Sequence, residues 1–215
     1  MAHETPTAVA DAGAPFRLPR GGHVDRSRPL TFRWNGRPLT ALDGDTLAAA
    51  LLAHGERVVG RSFKFHRPRG ILSAGAEEPN ALVALGRGAR LEPTARATLV
   101  RVHEGLEARP QNCWPSVRFD VGRVLDFLAP LWPAGFYNKT FLWPSWHAYE
   151  GAVRRTAGLG DALTAADPDL YDAANASCDV LVVGGGPAGL RVAQLAARAG
   201  LAVLLVEQDI DFGGS

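Results

Sequence analysis

Sulfur is scarce in this chain. Its 215 residues include two cysteines and one methionine. Cys113 and Cys178 cannot between them complete a four-thiolate zinc or iron–sulfur site. So low a count points to two reduced thiols rather than a disulfide framework. Long apolar runs are missing too. No stretch reaches the roughly 18 residues that a membrane-spanning helix needs. The opening MAHETPTAVADAGAP has no basic segment followed by an apolar one, so it does not read as a secretory signal. No membrane contact is expected, and the cytoplasm is the expected location. His23, His54, His66, His103 and His147 are scattered without metal-ligand spacing, and no Ser–His–Asp grouping can be assembled. No metal site is expected, and no catalytic residue is assigned.

What is present is an ordinary globular balance, 47% hydrophobic and 21% charged, enough to bury a core. The formal net charge of +1 hides an asymmetry. Residues 1–110 hold 16 Lys and Arg against 11 Asp and Glu, and residues 111–215 hold 7 against 11. Two units with different surfaces follow, but the basic half is too mild for nucleic-acid binding. The stretch RSFKFHRPR (61–69) interleaves bases with aromatics, as single-strand binders do. It is equally a solvated loop or a holder of phosphate or carboxylate groups, and nucleic acid is not expected as a partner.

Residues 1–15 are rich in Ala, Thr and Pro and read as disordered. From Leu30 to Trp34 apolar and polar residues alternate, as in a half-buried strand. Asn35-Gly36 then supplies the two positive φ angles of a hairpin turn, and Arg37 to Ala41 returns as a second strand. Asp45 or Asp43 can cap a helix through Leu47, Leu51 and Leu52 that stops at Gly55. Val58-Val59, Ala81 to Leu85 and Thr98 to Val102 read as further strands. A hairpin, a helix across it and more strands is the order of a β-grasp, ferredoxin-like domain, placed at 16–109. Residues 110–156 hold Trp114, Trp132, Trp143 and Trp146 among prolines, which leaves room only for short helices such as one from Val121 to Ala129 capped by Asp120. This stretch is either an aromatic connector packed on its neighbours or a docking surface for another subunit. Residues 157–177 read as a linker.

The strongest motif lies at 178–215. Asp179 precedes a continuous apolar run to Val183, which suits a parallel strand buried on both faces. Gly184-Gly185-Gly186-Pro187-Ala188-Gly189 fits G-x-G-x-x-G. Its glycines allow a tight turn, close approach of backbone to a pyrophosphate, and close packing of helix on strand. A helix to Gly200 presents its N-terminal amides to phosphate. A second buried strand, Leu201 to Val206, ends in Glu207, placed to accept from a ribose hydroxyl. Gln208 follows it. Strand, turn, helix, strand and acid together are the context that confirms the fingerprint. The chain thus reads as α+β followed by α/β, with the first βαβ unit of a Rossmann-type domain at its end. The acid favours NAD or FAD over NADP, and the fingerprint does not separate NAD from FAD. A single βαβ unit leaves strand edges open, so a longer parent protein is expected.

SFKFHRPRGILSAGAEEPNALV (62–83), NCWPSVRFDVG (112–122), PAGFYNKTFLWP (133–144), CDVLVVGGGPAGL (178–190) and DFGGS (211–215) resemble the alpha subunits of heterotetrameric sarcosine oxidases over about residues 15–215. The resemblance implies part of a flavoenzyme complex with beta, gamma and delta subunits that contains FAD and FMN. Such an enzyme oxidatively demethylates sarcosine, passes the methyl carbon to tetrahydrofolate and reduces oxygen to hydrogen peroxide. It also implies NAD bound by this subunit, with FAD the alternative, and a folate domain elsewhere. This stretch alone is expected to be inactive. The alternatives are an FAD-dependent oxidoreductase acting on another secondary amine or amino acid, and a non-enzymatic β-grasp interaction module. Related ferredoxin-like domains carry C-x₄-C-x₂-C and a later Cys around a [2Fe–2S] cluster. On that register this chain has Ser73, Glu78, Ala81 and Thr98, so no cluster is expected.

Overall fold

The computed structural model describes residues 14–127, 129–131, 135, 141, 143–158, 163–208 and 212–213. The chain divides into two compact units, Met1–Pro168 and Asp169–Ser215. Of the stretch expected to be disordered, residues 1–13 lie outside the described residues. Ala14 is buried, which corrects that expectation at its end.

In the first unit, β1 (Asp25–Trp34) turns through Asn35 and Gly36 (φ 50° and 83°) into β2 (Arg37–Asp43), the expected hairpin. Leu30, Phe32 and Trp34 face inward while Thr31 and Arg33 face out, the alternation that strand geometry imposes. Helix α1 spans Leu47–Ala53 and is capped by Thr46, whose hydroxyl accepts from the Ala49 amide at 3.2 Å. The cap is therefore neither Asp45 nor Asp43. Asp45 is turned inward, accepting from the Leu42 amide at 2.8 Å and from both terminal nitrogens of Arg17 at 3.0 and 2.6 Å. Asp43 instead pairs with Arg28 and Arg101.

A two-residue ribbon, β3 (Gly60–Arg61) with β4 (Pro68–Arg69), leads to β5 (Leu82–Leu85), β6 (Glu92–Arg96) and β7 (Glu107–Pro110). The five longer strands form one sheet in the order β2-β1-β7-β5-β6, with β7 parallel to β1 and the other pairs antiparallel. α1 packs on it, and Phe32, Trp34, Leu47, Leu51, Val83 and Val102 share one core. This is the expected ferredoxin-like arrangement, but two segments differ. Val58-Val59 lies just before a strand rather than in one, and Thr98–Val102 follows a turn over residues 97–99 and pairs only at Arg101, in an isolated bridge to Thr46. The turn is held by the helix. Val100 and Ala97 carbonyls accept from the Leu47 and Ala48 amides at 2.7 and 2.9 Å, satisfying donors that a helix N-terminus leaves open.

Past the sheet, a 3-10 turn (Val121–Arg123), capped by Asp120, runs into α2 (Val124–Phe127). The helix expected to Ala129 is thus split, and residue 128 lies outside the described residues. An 11-residue helix, α3 (His147–Ala157), was not expected. It has no capping side chain at Trp146 and closes on Gly158 at φ 69°. Trp114 and Trp143 are 71% and 82% exposed, so they do not pack as a connector's core would. Trp132 lies outside the described residues. No helix among the described residues is long and apolar enough to cross a membrane.

The second unit opens without regular structure through residue 178. It then forms β8 (Val180–Val183), α4 (Pro187–Arg198) and β9 (Val203–Val206), with β8 and β9 parallel and in register from Val180↔Val203 to Val183↔Val206. Only Val182 of β8 is buried. The expectation of a strand covered on both faces fails here because a two-stranded sheet has one helix to cover it.

The Arg17–Asp45 pair ties the chain before β1 to the start of α1, with side-chain exposures of 8% and 2%. Removing one member of a buried pair strands the other charge. Asp45→Ala should cost about 3–5 kcal/mol by urea unfolding; a loss under about 1 kcal/mol would show the pair to be dispensable.

Candidate functional site

The glycine turn of the second unit is built by close backbone approach. Gly184 sits at φ 101° and its amide donates to the Val206 carbonyl at 2.9 Å. Gly186, extended, is the residue that caps α4, and Pro187 stands at the first helical position, where its missing N–H costs no bond. A Cβ on Gly189 would collide with the Gly184 carbonyl oxygen, so the helix can lie this near the strand only with glycine there. Around Gly186 a Cβ would meet nothing within 4 Å. Among the described residues that side of the turn is open.

Glu207 lies beside this turn. One carboxylate oxygen accepts from the Gly185 amide at 2.5 Å and the other from the Gln208 amide at 2.7 Å. Gly184, Gly185, Gly186, Pro187, Ala188, Gly189, Glu207 and Gln208 therefore gather at one end of the parallel pair. The Gly185–Glu207 bond follows from the parallel register. Sequence reasoning missed Phe212, whose ring lies where a Gly185 side chain would be, and Gly213, whose amide donates to the Gly185 carbonyl at 2.8 Å. No spacing rule signals that contact.

The first unit holds a second concentration of polar groups. Glu78 is 1% exposed. Its carboxylate accepts from four amides: Leu72 and Ser73 on one oxygen, both at 2.7 Å, and Asn80 and Ala81 on the other at 2.7 and 3.1 Å. Burial pushes the Glu78 pKa up, but the four amide bonds outweigh it and hold the group below the ordinary carboxylate range. Thr98 reaches the same loop, donating to the Gly75 carbonyl at 2.6 Å. The Ser73 hydroxyl oxygen is shielded and has no partner among the described residues. Ser73, Glu78, Ala81 and Thr98 are thus brought together.

Two residues of the basic stretch 61–69, Arg61 and His66, are buried, while Phe63, Arg67, Pro68 and Arg69 are exposed. Arg61 is buried and donates to the carbonyls of Val117, His66 and Arg118. His66 is buried too, and its Nδ1 donates to Asp120 at 2.6 Å. Asp120 also accepts from the amides of Trp114 and Gly122. Arg67 pairs with Asp126. Burial, with the Asp120 carboxylate adding and Arg61 opposing, pushes the Cys113 thiol up to about 11, which leaves it protonated and a poor nucleophile. Both cysteines are free. Among the described residues no group of three or more His, Cys, Asp or Glu could hold a metal ion.

Residues 27–113 match the model of a 2Fe-2S iron-sulfur cluster binding domain, and residues 179–215 that of an FAD dependent oxidoreductase. Sarcosine oxidase subunit alpha of Rhizobium meliloti (strain 1021) is 57% identical over 93% of this chain and 21% of its own length. The same subunit of Corynebacterium sp. (strain U-96) is 35% identical over 91% of this chain and 16% of its own length. That of Corynebacterium sp. (strain P-1) is 34% identical over 93% and 17%. The chain spans about a fifth of the length of these curated relatives. The crystal structure of L-proline dehydrogenase from P. horikoshii overlaps 87% of this chain and 26% of its own at 19% identity and TM-score 0.42, too loose a likeness to bear on fold or function.

Two outcomes check this geometry. A depressed Glu78 pKa contributes stability that is fully present above the ordinary carboxylate value and is lost as pH falls from there through the lower folded-state value. The Tm gap between wild type and Glu78→Gln should therefore be widest near neutrality and narrow below about pH 4.3; a gap that is constant with pH would remove the charge from the account. Gly189→Ala should destabilise the second unit by about 1–3 kcal/mol in denaturant titration, since strand and helix must part, and wild-type stability would contradict the close approach.

Proposed function

Since the chain is a homologue of sarcosine oxidase alpha subunits over 93% of its length, we propose that it forms part of the alpha subunit of a sarcosine oxidase-like oxidoreductase. In this reading residues 178–215 open a Rossmann-type domain that binds an adenine dinucleotide, and residues 16–109 serve assembly with partner subunits. The overall reaction would convert sarcosine, tetrahydrofolate and oxygen to glycine, methylenetetrahydrofolate and hydrogen peroxide. The open backbone at Gly186, at the N-terminus of α4 and next to Glu207, is the observation that carries the dinucleotide reading.

The residues fit such a ligand. The first-turn amides of α4 and the helix dipole would hold a pyrophosphate. At Gly186 no side chain among the described residues would stand in its way. Glu207, held beside the turn by bonds from the Gly185 and Gln208 amides, is the carboxylate that would accept from a ribose hydroxyl. NAD and FAD share this adenosine diphosphate half. The family resemblance speaks for NAD, and the match of 179–215 to an FAD dependent oxidoreductase speaks for FAD. Bound FAD would accept a hydride from an amine substrate; this chain's own part is to bind and orient. Beta, gamma and delta subunits and a cytoplasmic location belong to the same proposal.

The test is calorimetry of the full-length subunit with NAD and with FAD. Glu207→Ala should weaken the dinucleotide that binds by about 1–3 kcal/mol, the scale of a lost charged hydrogen bond. Gly186→Ala, which meets no protein atom, should leave Tm unchanged yet weaken the same ligand. Wild-type affinity for both dinucleotides in both variants would refute the assignment.

A further inference from the structure

A domain matched to iron–sulfur proteins should carry thiolates where a cluster sits, and this one carries other chemistry. The register positions hold a hydroxyl at Ser73, a carboxylate at Glu78, a methyl at Ala81 and a hydroxyl at Thr98. None is a thiolate, and plant-type [2Fe–2S] clusters are held by four. The residues present therefore do not fit the group that the family model names. The loop is nonetheless drawn together. Thr98 is bonded to Gly75, Ala81 is fully buried, and the Ser73 hydroxyl oxygen is enclosed without a partner among the described residues.

Loop amides around a cluster donate to its sulfurs and help to balance its negative charge. Here four amides of the loop, Leu72, Ser73, Asn80 and Ala81, converge on one buried carboxylate. Burying these donors without an acceptor would cost far more than the bonds themselves return. A carboxylate accepts two bonds on each oxygen, and each Glu78 oxygen accepts two of these amides. No lysine or arginine is paired with it among the described contacts, so main-chain dipoles alone hold its charge.

We propose that the Glu78 carboxylate takes the place of the iron–sulfur cluster, as a built-in anion around which the amides of the 72–81 loop fold. The domain is then a structural relative of a redox domain whose electron carrier has been replaced by one side chain. No electron passes through it, and it serves as a rigid module of the subunit. The same loop, given four thiols, regains its cluster.

Two arms test this on the full chain. Glu78→Ala should lower the Tm of the first unit by about 10 °C, and formate should restore more of that loss than it adds to wild type, because it refills the amide nest. Should Glu78→Ala not fold, Glu78→Gln takes its place, with a lowered Tm and no rescue, since the amide group still fills the nest. In the second arm, Ser73→Cys/Glu78→Cys/Ala81→Cys/Thr98→Cys is incubated anaerobically with iron and sulfide and should gain the visible absorbance and reduced-state EPR signal of a [2Fe–2S] centre. A Glu78 variant as stable as wild type, formate acting equally on both proteins, or a four-cysteine variant that stays unfolded or iron-free would each overturn the proposal.

Discussion

A backbone amide taken out of water must find an acceptor, and the 72–81 loop is shaped by that constraint. Four of its amides point to one place, and one buried carboxylate answers all of them. A neutral acceptor of the same size would meet them less strongly, because bonds to a charged acceptor are about twice as strong. The loop in turn brings Thr98 to Gly75. The turn that contains Thr98 offers Ala97 and Val100 carbonyls to the first amides of α1. A chain of satisfied donors therefore runs from Glu78 to the helix that covers the sheet.

The glycine turn of the second unit answers the same constraint differently. There the Gly185 amide is met by Glu207 and the Gly184 amide by the Val206 carbonyl. The amides that open α4 have no capping side chain, since the residue before them is Gly186. One loop carries its anion within the sequence, and the other leaves room for an anion from outside.

Features set by neighbours in sequence were legible. Asn35-Gly36 makes its turn at the expected positive φ angles, and the glycine fingerprint sits between parallel strands with the acid at the end of the second. Features set by distant partners were not. Asp45 looks like a helix cap until Arg17 is seen to claim it, and Thr46 does the capping. Thr98–Val102 has the residue types of a strand, but the Leu47 amide takes the Val100 carbonyl and only Arg101 pairs, in a bridge to Thr46. β7 reads poorly as a strand, with two charges and a proline in Glu107–Pro110, yet pairing with β1 and β5 on both sides makes it one. α3 has no capping side chain and a glycine inside it, and its Glu150–Arg154 pair is the support that shows only once the helix exists. Glu78 itself was visible only as a missing thiolate. What it does instead depends on where four amides point, which no spacing rule encodes.

In the proposal above, a carboxylate and not a metal cluster organises this ferredoxin-like domain. That proposal is tested most directly by assaying iron and acid-labile sulfide in the wild-type chain, produced anaerobically alongside cluster-assembly proteins. The account predicts neither above trace levels in fully folded protein. A stoichiometric pair of irons with matching sulfide would contradict it.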